Sequence, residues 1–104
     1  MSQAKSVDGY VIRLTDERWQ HISTGHPEVA DLYYEILQTI TEPQTIYDGG
    51  ENELIAVKPN NALDKFIVVV YRQIKPNDGF VITAFVTRRF AGLARRRQIW
   101  PPKN

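Results

Sequence analysis

The sequence predicts an α+β domain: two N-terminal helices packed on a three- to four-stranded antiparallel sheet. Three observations carry this reading. Helical periodicity is confined to residues 15–42, whereas most strand-like runs follow it. Short turns rich in Gly, Pro and Asn separate those runs, and connections this short join antiparallel neighbours. At 104 residues with 42% apolar content, the chain supports one domain with its own core.

Residues 10–14 (YVIRL) alternate apolar and polar, as a short strand does. Thr15 offers an N-cap hydroxyl, and Asp16 and Glu17 place negative charge in a first helical turn. That helix carries Trp19 and Ile22 on one face and stops near Gly25. Pro27 and Glu28 suit the start of a second helix. Its stripe of Val29, Leu32, Tyr33, Ile36, Leu37 and Ile40 follows helical spacing, and Pro43 ends it. Strands are expected at 44–47, 54–58, 66–72 and 80–87. Asp48-Gly49-Gly50, Pro59-Asn60-Asn61 and Pro76-Asn77-Asp78-Gly79 are the expected turns. Residues 90–99 suit a short helix, and Trp100-Pro101-Pro102 closes regular structure. The expected organisation is one domain over residues 7–92, followed by a basic tail at 93–104.

Net charge is +1, but it is unevenly distributed. Residues 1–71 carry 5 basic and 11 acidic side chains (−6), and residues 72–104 carry 8 basic and 1 acidic (+7). Such asymmetry suits an anionic partner for the basic part. No cysteine is present, so disulfides and thiolate metal sites are excluded, and a reducing cytoplasmic setting is expected. The longest apolar run, residues 66–71, is far below the roughly 20 residues of a membrane helix, so no membrane association is expected.

Both histidines lie in HISTGHPE, residues 21–28. Their spacing admits a metal clip, but HExxH is absent and no third ligand stands at a supporting position. No metal and no cofactor is therefore expected. An imidazole titrates near neutrality and so can both take and give a proton. His21 stands one turn after Glu17, which makes it the slightly stronger candidate, and His26 stands at a helix start. On the last strand Thr83 and Thr87 share a face, with Arg88 and Arg89 at its end. Hydroxyls and planar guanidinium groups together suit a phosphodiester, and Arg72 at the end of the preceding strand is placed to join them. Each residue also has a plain structural reading: exposed helix positions, β-propensity and solvated strand ends.

The segments YVIRLTDERWQHISTGHPE, ITEPQTIYDGG, FIVVVYR and GFVITAFVTRRF together resemble the phage-type branch of the barnase–EndoU–colicin–RelE-like nucleases, over residues 10–90. The resemblance implies a RelE/barnase-like fold and metal-independent RNA cleavage by 2′-hydroxyl attack, with histidine acid–base catalysis. It implies catalytic roles for His21 or His26, Arg72 and Thr83. Substrate contacts then fall to Lys58, Thr87, Arg88 and Arg89. It further implies RNA, tRNA or mRNA, as substrate, a toxin-like cytoplasmic role, and an antitoxin or immunity protein as partner. Two other readings compete: a catalytically inactive RNA- or protein-binding module of the same fold, and a metal-dependent hydrolase built on the two histidines.

Overall fold

A computed structural model describes residues 2–103. Its strands are β1 (Ser2–Lys5), β2 (Val11–Leu14), β3 (Thr45–Gly50), β4 (Glu53–Asn60), β5 (Lys65–Lys75), β6 (Asp78–Thr87) and β7 (Gln98–Trp100). Its α-helices are α1 (Asp16–Gly25), α2 (Tyr33–Thr41) and α3 (Ala91–Ala94), with a 3-10 turn at Pro27–Val29. All seven strands form one mixed sheet in the order β1-β2-β6-β5-β4-β3-β7.

This corrects the expected architecture of two helices on a three- to four-stranded antiparallel sheet. The chain opens with a hairpin, β1 against β2, before any helix. β2 then lies parallel to β6 through the pairs Ile12↔Gly79 and Arg13↔Phe80. Ser2–Lys5 is a polar edge strand, and a strand with no continuous apolar face leaves no period-2 signal. At the other edge, β7 pairs with β3 through Ile46↔Trp100 and Tyr47↔Gln98, so residues 98–100 of the expected tail belong to the sheet. The helix expected over 90–99 is a single turn, residues 91–94.

Several element bounds also move. Thr15 does cap α1, its Oγ1 accepting from the Arg18 amide at 3.1 Å. The second helix starts six residues late: Pro27–Val29 makes a 3-10 turn, and α2 begins at Tyr33. β3 runs through Asp48-Gly49-Gly50, and the turn falls on Glu51 and Asn52 at φ 51° and 68°. Asn is one of the few side chains that tolerates that left-handed region, so the turn signal sits one step beyond the glycines.

The sheet separates two apolar layers. Its inner face carries Ile12, Leu14, Ile46, Ala56, Ile67, Val69 and Tyr71 against Ile22, Val29, Ile36 and Ile40 of the helical layer. Its outer face carries Tyr47, Ile55, Val57 and Val68, covered in part by Phe90 and Leu93. Phe90 stacks on Phe66 with ring centroids 4.9 Å apart. Residues 88–97 thus strap the outer face, from the end of β6 to β7. The far end is clamped on Asp48, whose amide donates to the Arg97 carbonyl at 2.9 Å and whose carboxylate meets Arg97 at 3.2 Å. The Gly50 amide and then Arg97 hold that carboxylate below its ordinary value of 3.8.

One irregularity positions the site. Val70 pairs with Thr83 but Tyr71 pairs with Val81, so β6 holds one extra residue there. Such a bulge reverses the alternation of faces. Val81 is therefore inward in the core, whereas Thr83 sits across from outward-facing Val70.

Candidate active site

β2 covers only the first part of β6, at Gly79 and Phe80. α1 and the 3-10 turn also contact β6. The N-terminal end of α1 meets β6 at a cavity of about 220 Å³ lined by Arg13, Thr15, Arg18, Phe80 and Val81. Beyond its C-terminal end, the His26 ring lies 5.9 Å from the Phe85 ring. Ten helical residues rise about 15 Å, and Phe80 to Phe85, shortened by the bulge to the span of Arg72 to Val68, covers about 13 Å. The helix and the strand therefore run side by side, forming a seam from Phe80 to Phe85.

His26 is half-buried at one end of this seam, and its Nδ1 lies 3.5 Å from Glu28 Oε2. A hydrogen bond from Nδ1–H to that carboxylate, once closed, would leave Nε2 free to take a proton. His21 is exposed midway along α1. It lines one cavity with Glu17, Gln20 and Thr24 and another with Thr15, Glu17 and Arg18. The second cavity shares Thr15 and Arg18 with the one at Phe80. No hydrogen bond joins Glu17 to His21, or either imidazole to Thr83, Arg72 or Arg88, among the described residues. Glu28 thus stands 3.5 Å from His26, whereas Glu17 lines the same cavities as His21.

The partners on the sheet divide into two groups. Thr83, Phe85 and Thr87 share the outer face of β6, two residues apart, or about 7 Å per step. Thr87 Oγ1 accepts from the Arg89 amide at 2.9 Å, turning the chain out of the strand. Arg88 and Arg89 are exposed and form no ion pair among the described residues. Arg72 is opposite Phe80 on the same face, with its guanidinium 6.0 Å from that ring. It is held by Glu53 at 3.2 Å, and its buried Nε has no hydrogen-bond partner among the described residues. Lys58 stands apart: its register partner is Ile67, which belongs to the inner core, so it sits on the other face. The structure thus places His26 against Phe85, on the strand face that also carries Thr83 and Thr87, with Arg88 and Arg89 following in sequence and Arg72 beside Phe80, and leaves Lys58 on the other face.

Three contributors escape sequence reasoning. Arg13 occupies the polar position of YVIRL, where alternation alone sends it outward. Arg18 reads as an ordinary exposed helix residue. Glu28 reads as a helix-dipole charge, although HPE places it two residues from an imidazole. Among the described residues, no three His, Asp or Glu side chains converge as a metal-ligand set. No helix is long and apolar enough to cross a membrane. Comparison with protein-family models, curated proteins and solved structures finds no match.

Proposed function

We propose that the protein is a metal-independent endoribonuclease, acting in the cytoplasm in a toxin-like role, with the seam between α1 and β6 as its active site. The observation that carries this reading is the His26–Glu28 pair against Phe85, on the strand that presents Thr83 and Thr87. The family resemblance of the HI-x3-HPE and ITAFVT segments points the same way.

In this reading His26 Nε2 takes the proton of a ribose 2′-hydroxyl. The freed oxygen attacks the adjacent phosphorus, the P–O5′ bond breaks, and a 2′,3′-cyclic phosphate forms. The leaving 5′-oxygen regains a proton from the imidazolium or from water. Arg88 and Arg89 offset charge on the phosphoryl oxygens, and a threonine hydroxyl donates to one of them. Only RNA carries the nucleophile, so a 2′-deoxy substrate remains whole.

The test is cleavage of RNA in EDTA. His26→Ala is expected to lower kcat/KM by roughly 100- to 10,000-fold. His21→Ala is expected to lower it less than about tenfold, since it is His26 that stands against Phe85. Undiminished cleavage by both variants overturns the assignment. Salt-sensitive RNA binding with no product identifies a binding module instead, and loss of activity on chelation identifies a metal-dependent hydrolase.

A further inference from the structure

The cavity at the Phe80 end of the seam has no role in the proposed cleavage chemistry. Its polar side chains come from two elements: Arg13 from β2, and Thr15 and Arg18 from the start of α1. Arg13 is fixed rather than free. Its Nη2 donates to Asp78 Oδ1 at 2.7 Å and its Nε to the Gly79 carbonyl at 3.4 Å. No hydrogen bond engages its Nη1 among the described residues. Arg18 is exposed and forms no ion pair among the described residues. Phe80 supplies an aromatic wall, and across the strand pair Arg72 lies over that ring with its Nε unpartnered among the described residues. Two guanidinium groups, a hydroxyl and an aromatic ring around one small cavity match the parts of a nucleotide: phosphate, sugar and base.

Phe80 and Phe85 stand opposite Arg72 and Val68, four residues apart on β5, or about 13 Å. That separation exceeds one nucleotide and is within reach of a short extended strand. We infer that the cavity of Arg13, Thr15, Arg18 and Phe80 is a distal nucleotide subsite, which makes the preferred substrate a single strand longer than a dinucleotide. The inference rests on the seam being the RNA site. A duplex would not suit it, because the distal base must leave its partner to meet Phe80.

Binding of 2′-O-methyl oligonucleotides isolates the subsite, since these cannot be cleaved. A tetranucleotide is expected to bind wild-type protein about tenfold more tightly than a dinucleotide of the same sequence. Arg18→Ala is expected to shrink that ratio towards one. The slope of log Kd against log salt for the tetramer should fall by about 0.7, the value for one single-strand phosphate no longer neutralised. Phe80→Leu should shrink the ratio with the salt slope unchanged. Equal binding of the two lengths by wild-type protein, or a ratio undisturbed in Arg18→Ala, overturns the subsite. Arg18 is exposed, so its removal leaves the fold intact. Cleavage of unmodified RNA in EDTA judges the nuclease reading separately: a protein that binds by length without cutting keeps the subsite and loses the catalysis.

Discussion

Tyr71 is fully buried, yet its hydroxyl has no hydrogen-bond partner among the described residues. Burial, with the Asp8 carboxylate adding to it, pushes the phenol well above its ordinary value of 10. A buried hydroxyl without a partner costs about 1–3 kcal/mol of desolvation, whereas the ring itself packs in the core. Tyr71→Phe is therefore expected to stabilise the protein by about 1 kcal/mol at neutral pH, read by denaturant unfolding. The pH dependence has a definite sign. The folded state disfavours the phenolate, so the Tyr71 contribution is fully present below pH 10 and is lost as pH rises beyond it. The advantage of the phenylalanine variant should then widen above pH 10, and a gap that narrows there contradicts this account. Nothing in FIVVVYR marks this position as special. An apolar run shows burial but is silent about whether a phenol will find an acceptor.

At the scale of elements, the join between β2 and β6 sets everything along the seam. Gly79 sits there opposite both Ile12 and Gln73. A Cβ at this position would lie 2.5 Å from Ile12 Cδ1 and 2.8 Å from the Arg72 carbonyl oxygen. Ile12 is wholly buried and the carbonyl is backbone, so neither can yield cheaply. Gly79→Ala is expected to destabilise the fold by about 1–3 kcal/mol, measured as a lower midpoint of chemical unfolding. An unchanged midpoint would show that the join tolerates separation. In sequence Gly79 reads as a turn residue, and its actual use is close approach of a third strand. α1, with its Thr15 cap and Gly25 stop, is legible because capping chemistry and period act locally. The strands at 44–47, 54–58, 66–72 and 80–87 are legible as segments, with β3, β4, β5 and β6 all running longer than expected. The parallel pairing of β2, the edge strand β1 and the three-residue β7 are not legible. Each is decided by what lies beside it, and no local propensity encodes that.

For the whole molecule, the charge asymmetry of the sequence becomes a difference between two sides of a sheet. Residues 16–41, the helical layer, carry five acidic side chains and one basic, net −4. Residues 87–97, the strap on the outer face, carry five arginines and no acid, net +5. Of the two, the arginine-rich strap is the segment whose charge suits a polyanion. If the outer face receives RNA, Arg88→Gln with Arg89→Gln should weaken binding about equally for all sequences. It should also lower the salt slope by about 1.4, or 0.7 for each phosphate that its arginine no longer neutralises. A weakening confined to particular sequences would indicate base readout instead. The asymmetry itself is plain in the composition. The candidate site is legible as a list of chemical groups, since His26, Thr83, Thr87, Arg88 and Arg89 all stand out in the sequence. Its geometry is not, because the bulge at residues 81–83 and the placement of α1 arise only when distant segments meet.

The parallel contact of β2 with β6 has a consequence in time. Arg13 and Gly79 are 66 positions apart, and closing so long a loop costs more entropy than zipping the hairpins β3–β4, β4–β5 and β5–β6. The four-stranded meander can therefore assemble first, with the N-terminal hairpin and α1 docking onto a finished β6. During synthesis His26 emerges before β6, so it has no strand to meet until Phe85 has followed it out. A seam built this way stays unassembled on the nascent chain until β6 has been made.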